Sequence, residues 1–584
     1  MTASPFPARL AALRRALRLA PGQAFILPRA AAHHGETLTP QDERLAWLTG
    51  FDGSAGTALI TARAAALAVD GRYTQQARQQ APAFEGIGAT LSDQKVWLSK
   101  ARVTSVLIDP WLHTKTWFEG ATMHLPAVRL LARNPIDALW QDRPLTPTNP
   151  VRHHPLKYTG QNAQDKLSGI QTAIHKAGFD VFVFTSLESI AWLFNIRGND
   201  TRYTPLVLAT AAVPIRGKPR LYLHPASVTH SLRGFAKVCA VDDLGDDLKR
   251  WRGQGKTIAF DPEVTSLAQV RQAGRAARSM ADPCLIPRAQ KNRTELAGAR
   301  AAGVLDGVAV TRLLAWLARL KTPPTEMAVS DKLESLRALC PDYRGPSFPS
   351  ISATGPHSAL PHYRARRAHD HHLKPRHLYL LDCGGQYPQG TTDATRTIAV
   401  GKAAITRSHR RWFTAVLKGH ISLARAVVPA HANALALDTL ARQHLWQAGG
   451  DYQHGTGHGV GSFLSVHESP PRINTRPGAP VKPGMIFSNE PGYYRPGAFG
   501  IRIENLYAVK PATRAGWVAF ETLTFIPIDT RLVDRAALSI QEIRWIDAYH
   551  KKVRTVIRPR LTGPTRVQDR TWLEAATRPL DRLP

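Results

Sequence analysis

Three imidazoles, His454, His458 and His467, fall within fourteen residues, with glycine at positions 455, 457, 459 and 461 among them. The i, i+4 spacing of His454 and His458 would put both rings on one face of a helix. Each glycine costs about 1 kcal/mol in a helix interior, so the pattern reads instead as a Gly-rich strand or loop where backbone and substrate approach closely. The helical two-histidine zinc motif is ruled out because it needs a glutamate between its histidines, and His454 is followed by Gly-Thr-Gly.

Carboxylates flank this stretch on both sides. Upstream, Leu378-Tyr-Leu-Leu-Asp382 reads as an apolar strand ending in a carboxylate, Gly384, Gly385, Pro388 and Gly390 supply a turn, and 391–400, which contains Asp393, reads as the returning strand. Downstream, 484–490 ends in Glu490, a Tyr-Tyr-Arg-Pro-Gly loop follows, and 500–509 returns with Arg502 and Glu504. A single Asp at a strand end is ordinary turn chemistry. Two hairpins of the same layout around a histidine stretch are not. Four carboxylates and a neutral imidazole can hold two divalent ions if two carboxylates bridge, and two ions a few ångströms apart share one hydroxide that is nucleophilic at neutral pH. Oxygen-rich ligation with one nitrogen and no thiolate suits manganese, cobalt or zinc. Arg502, two residues before Glu504 on a strand, points to the same face and can steady a ligand carboxylate.

With these residues the chain resembles the pita-bread metallopeptidases, the family of methionyl aminopeptidase, prolidase and aminopeptidase P. Ser347-Phe-Pro-Ser-Ile-Ser-Ala-Thr-Gly355, Pro361-His362-Tyr363, the 454–464 stretch, Glu490-Pro-Gly-Tyr-Tyr and Gly500-Ile-Arg-Ile-Glu-Asn are most similar to the long, three-domain Xaa-Pro aminopeptidases. The resemblance implies that Asp382 chelates one metal, Asp393 and Glu504 bridge, and His458 with Glu490 holds the second. It implies that Glu490 takes a proton from the bridging water. His467 would hydrogen-bond the scissile carbonyl or pass a proton to the leaving proline nitrogen, and His362 and His454 would line the proline pocket. His33, His34, His371 and His372 read as surface histidines. One departure is Cys383, where the family pattern has Ser or Thr after the aspartate. A thiol beside the site predicts that peroxide inactivates the protein and that Cys383→Ser resists.

The implied function is that of a metal-dependent aminopeptidase that releases the residue ahead of a penultimate proline by attack of a metal-bridging hydroxide, with two divalent ions, Mn(II) before Co(II) or Zn(II). The alternatives are a prolidase limited to X-Pro dipeptides and a pita-bread relative that lost catalysis and became a binding protein. The implied fold is α/β (α+β): creatinase-like domains at 1–148 and 149–288, then a pita-bread catalytic domain at 289–584 with a helical C-terminal extension from about 525. Ala-Trp-Leu occurs at 46–48 and again at 191–193, with Gly53 and Gly198 at matching distances beyond, so the first two domains read as a duplication. Neither copy carries a cluster of metal ligands, and their implied job is to shape the mouth of the site and support a homodimer. Asp70-Gly-Arg-Tyr reads as a hairpin turn, and 205–209 and 219–223 read as strands. Helices are expected over 294–317, 326–339, 408–427 and 433–447, with a closing helix from 538.

Composition sets further bounds. Apolar residues make up 43% of 584, ordinary for a globular chain, and the absence of a run of about 18 apolar residues predicts no membrane span. Four cysteines without paired or metal-ligand spacing predict a reducing, cytoplasmic setting. The Arg-rich, acid-free segment 7–20 has the look of a transit peptide but reads better as the first helix. The net charge of +32, whose sharpest cluster is Arg364–His377 with more arginine in the tail from Arg554, would favour anionic partners through charge alone. No nucleic-acid recognition motif accompanies it, so a solvated basic surface and no specific nucleic-acid partner are expected.

Overall fold

The computed structural model describes residues 4–229, 232, 234, 236–401, 405–563 and 566–580. The chain divides into two compact units, one of Met1–Pro155 with Gln161–Leu285, the other of Leu156–Gly160 with Ile286–Pro584.

The first unit holds two six-stranded mixed sheets. One runs Glu85–Gly88, Ala65–Val69, Thr57–Thr61, Gln23–Pro28, Ser105–Ile108, Ala127–Leu130. The other runs Lys237–Cys239, Arg220–Leu223, Ala209–Pro214, Val181–Phe184, Ile258–Phe260, Ala277–Ser279. Read in that order, both show the same succession of pairings: parallel, antiparallel, antiparallel, parallel, parallel. Two sheets with one topology account for the repeated Ala-Trp-Leu, which lies in the Arg44–Thr49 helix of one copy and the Leu187–Leu193 helix of the other. The amphipathic N-terminal stretch forms a helix, Phe6–Leu17, that buries Leu10 and Leu13.

Three local expectations are corrected here. Asp70-Gly-Arg-Tyr leads into the helix Thr74–Gln80 rather than closing a hairpin, because the next strand, Glu85–Gly88, runs parallel and needs a crossover. The second-domain strand starts at Ala209, and 205–208 is irregular, with the Gly198 and Asp200 amides donating to the Pro205 and Leu206 carbonyls. His33 and His34 are half-buried with their Nε2 atoms sealed from solvent, and burial pulls the His34 pKa down to about 3. His371 and His372 are exposed, as expected.

In the second unit a three-stranded antiparallel sheet, Ile351–Thr354, Leu378–Cys383, Ala394–Ala399, lies under the helices Arg293–Arg319 and Glu326–Arg337. A six-stranded antiparallel sheet follows in the order Val428–Pro429, Trp517–Thr522, Asn505–Pro511, Ile486–Asn489, Gly457–Gly459, Glu468–Ile473. Helices Arg407–Ala424 and Ala434–Gln447 supply Leu423, Leu437 and Ala441 to its core against Phe487, Tyr507 and Val509. Each fully buried Leu, Val or Phe contributes about 1.5–3 kcal/mol of apolar burial. The Arg293–Arg319 helix is long and apolar enough to cross a membrane by length and composition, yet half of its apolar window is buried inside the unit. Gly303 and Gly307 let it lie against the backbone at Leu523 and Phe525, where a Cβ would collide. The closing helix, Ile540–Ile557, opens on a Ser539–Glu542 capping box and is followed by a further helix, Val567–Ala576.

Strand alternation decides what faces the site. On Leu378–Cys383, the side chains of Tyr379, Leu381 and Cys383 pack into the helix-covered core with Leu313, Leu333 and Ala394. Asp382 therefore turns to the opposite face from Cys383. The thiol is 1% exposed, and burial raises its pKa. The expected oxidation sensitivity is corrected accordingly, since a buried, protonated thiol is a poor nucleophile. Peroxide should inactivate wild type and Cys383→Ser at equal rates, and a resistant serine variant in a timed inactivation assay would return the thiol to the site.

Candidate active site

The three-stranded sheet presents Asp382 at the end of one strand and Asp393 just ahead of the next, with Asp382 paired to Thr395 and Cys383 to Ala394. In the larger sheet His458 sits mid-strand at a register shift, with Arg472 opposite it and Glu468 opposite Gly459. Gly457 allows this strand to lie against the carbonyl of Ser488, where a Cβ would collide. Glu490 ends the Ile486–Asn489 strand, its amide bonded to the Thr456 carbonyl at 2.8 Å. Glu504 lies between the Phe499–Arg502 and Asn505–Pro511 strands, its amide donating to the Thr395 carbonyl at 3.1 Å. That bond joins the two hairpins.

The side chains converge. His458 Nε2 lies 3.5 Å from Asp393 Oδ2 and 3.4 Å from Glu490 Oε1. Its Nδ1 is 2.9 Å from the Gly459 carbonyl, which keeps the proton on Nδ1 and leaves the Nε2 lone pair facing the carboxylates. Asp393, His458 and Glu504 each offer a ligand atom, all within 4.8 Å of one another. The Thr395 hydroxyl donates to Glu504 Oε2 at 2.7 Å and accepts from Arg502 Nε at 3.2 Å. Arg502 Nη2 reaches Asp382 Oδ2 at 2.6 Å.

This arrangement calls for cations. Asp382 Oδ1, Asp393 Oδ1 and Glu504 Oε1 are buried and accept no hydrogen bond among the described residues. Burial first, and then the charges of Glu504, Asp382 and Glu490, push the Asp393 carboxyl well above the usual range. Glu504 is raised likewise by burial, then by Glu490 and Asp382. Burial disfavours the Arg502 charge, but Tyr494, Asp382, Glu490 and Glu504 hold its pKa well above the ordinary value. One guanidinium does not neutralise four carboxylates, and oxygens without hydrogen bonds beside an imidazole nitrogen that faces the carboxylates fit divalent metal. Asp382, Asp393, His458, Glu490 and Glu504 are the residues that would hold it.

The remaining expected residues surround this set. The His467 ring meets His458 edge-on at 4.3 Å and is exposed. His454 has Nε2 2.8 Å from Tyr494 Oη and Nδ1 4.0 Å from Glu490 Oε2. His362 is half-buried in the turn after Pro361, whose carbonyl accepts from Arg502 at 3.3 Å. The exposed Arg364, Arg366 and Arg367 follow in the same connection.

Sequence reasoning missed Thr395, Tyr494 and Arg396. Thr395 was detectable, being two residues beyond Asp393 on a strand. Tyr494 stands between Arg502 and His454, taking the guanidinium at 2.5 Å. Arg396, 2% exposed, donates to the Glu504 carbonyl at 2.7 Å and to Tyr549 Oη on the closing helix at 2.8 Å.

Known proteins are similar to this chain over nearly its whole length. Metallopeptidase family M24 matches residues 297–511, and the C-terminal region of peptidase M24 matches 516–580. The creatinase/prolidase N-terminal domain matches twice, at 9–137 and 142–295. A probable Xaa-Pro aminopeptidase P of Laccaria bicolor is 36% identical across 98% of this chain and 93% of its own length. The chain belongs to the Xaa-Pro aminopeptidase P family. Aminopeptidase P1 of Lotus japonicus is 33% identical over 96% of this chain and 97% of its own. Among solved structures, the X-prolyl aminopeptidase of Caenorhabditis elegans, described as a cytosolic enzyme with a di-nuclear active site, superposes with a TM-score of 0.92 at 31% identity, covering 98% of this chain and 99% of that one. Membership of the aminopeptidase P family explains the duplicated N-terminal sheets as well as the metallopeptidase unit. The Xaa-Pro dipeptidase of Bacillus anthracis shares the fold over 63% of this chain at 23% identity and a TM-score of 0.53.

Proposed function

We propose that this chain is a metal-dependent aminopeptidase that releases the N-terminal residue from peptides with proline in second position. The observation that carries the reading is the buried cluster in which Asp393, His458 and Glu504 offer ligand atoms within 4.8 Å of one another, beside carboxylate oxygens of Asp382, Asp393 and Glu504 that accept no hydrogen bond among the described residues. Two divalent ions, when bound, supply a nucleophile at neutral pH and neutralise charge developing on the scissile carbonyl. Manganese is the proposed metal, and Asp382, Asp393, His458, Glu490 and Glu504 are the residues that would hold it.

The chain's own groups do the rest. Arg502 holds Asp382 in one orientation and Thr395 does the same for Glu504. Glu490 takes the proton from the attacking water. An X-Pro nitrogen carries no hydrogen, so cleavage must deliver a proton to it as it becomes an amine. His467, exposed beside His458, hydrogen-bonds the carbonyl or delivers that proton. His454, braced by Tyr494, and His362 border the proline ring. The acidic site also receives the free N-terminal amine of the substrate.

The domain reading is 1–148 and 149–288 for the creatinase-like domains and 289–584 for the catalytic one, in a homodimer. Four cysteines without paired or metal-ligand spacing fit a cytoplasmic setting. Metal analysis of the purified protein should find two ions per chain. An X-Pro tripeptide should be cleaved with higher kcat/KM than the matching X-Pro dipeptide; the reverse order would favour a prolidase, and no turnover of either by metal-loaded protein would favour a binding role.

A further inference from the structure

We propose that Lys291 and Arg288 are positioning residues that act through Glu468 to hold His467 in place, an inference that rests on the role given to His467 above. Glu468 follows His467 directly and is paired across the ladder with Gly459, the neighbour of His458. His467, in the bend just ahead of the strand, is exposed and meets the His458 ring, whereas Glu468, the first strand residue, is almost wholly buried. There its Oε2 is bound by the Lys291 ammonium, and its Oε1 lies 3.2 Å from Arg288 Nε. Lys291 and Glu468 side chains are each 1% exposed.

The cations are themselves pinned. Lys291 Nζ donates to the Arg288 carbonyl at 2.9 Å. The Lys291 amide donates to the Gly484 carbonyl at 2.9 Å, and Gly484 has φ +91° with no room for a Cβ against the Lys291 carbonyl. Arg288 Nη2 also reaches the Ser469 carbonyl at 3.5 Å, so residues 468 and 469 are gripped together. Three buried charges stabilise a fold less well than apolar side chains of the same volume would, and their use here goes with fixed geometry. The Lys291 hydrogen bond on one oxygen and the Arg288 guanidinium in ion-pair range of the other restrain the carboxylate, and with it the direction in which the chain leaves residue 468 and aims the preceding imidazole.

The test is Lys291→Met, which keeps the length of the side chain and removes its charge, with Arg288→Met probing the other oxygen should the first variant fold poorly. In metal-loaded protein, kcat on an X-Pro tripeptide should fall about 10–100-fold, as expected when a reacting group is misplaced by about 1 Å, with metal content unchanged and KM little altered. Combined with His467→Ala, Lys291→Met should add no further loss, because both act on one group. Hydrogen–deuterium exchange of residues 462–473 should quicken in the single variant, a readout independent of turnover. Multiplying losses in the double variant, or unchanged exchange in this segment, would overturn the proposal. Wild-type protein that binds two metals but cleaves no X-Pro peptide would fail the proposed function instead, and the exchange measurement would still decide the clamp.

Discussion

Glu504→Ala and Asp393→Ala are each expected to lower turnover on the order of a thousandfold or more, equivalent to about 4 kcal/mol of transition-state stabilisation. Both residues are almost fully buried, so the gap left by truncation is lined by protein and does not open to a pool of substitute ligands. Each contributes one oxygen with no partner among the described residues, and Asp393 offers a second to the His458 nitrogen at 3.5 Å. Losing either also leaves the charge of bound metal less completely balanced by the protein. The fold should survive, because burial and the neighbouring charges already disfavour the ionised form of both carboxyls in the metal-free protein, so the fold does not depend on their charge. Circular dichroism, metal content and initial rate measured on the same preparations test the point. Full activity in either variant would remove the two-metal reading.

The hairpins were legible because the signals are local. Apolar runs ending in Asp382 and Glu490, glycine and proline turns and returning strands with carboxylates near their starts all lie within about twenty residues. Strand periodicity alone put Arg502 on the face of the Glu504 carboxylate. The carboxylate it bonds is Asp382, 120 residues away in sequence, and nothing local to Arg502 names that partner. The same holds for Tyr494 with His454, Arg396 with Tyr549 and Lys291 with Glu468, 177 residues apart. Such pairs are set by the register of strands across a sheet and by helices docked on it. Adjacency in sequence misled at Cys383, because neighbours on a strand face opposite ways. The apolar run 205–208 lacked any alternation and carries a proline, and it remains outside the sheet.

Removing the metal with a chelator should destabilise the protein, and the loss should be greater at pH 8 than at pH 5. Without a cation, burial and the facing carboxylates keep Asp393 and Glu504 protonated well above the ordinary values of 3.8 and 4.5 at which the unfolded chain ionises. The folded metal-free state therefore holds more protons than the unfolded one. Stability from a group with a raised folded pKa is fully present below its unfolded value and is lost as pH rises through the folded value. The two carboxyls share the same crowded space, so they titrate as a pair across that window rather than one by one. A divalent ion takes the place of those protons and releases them on binding, so its stabilising effect must grow with pH over the same window. Melting temperatures of chelated and Mn(II)-loaded protein at the two pH values measure this directly. In the double variant Asp393→Asn/Glu504→Gln, the amides imitate the protonated carboxyls. That variant should melt at nearly the same temperature at pH 5 and pH 8 and should gain little from manganese. Equal stabilisation of wild type by metal at both pH values would mean that these two carboxylates are already ionised in the metal-free fold, and that the charge balance drawn for the site is wrong.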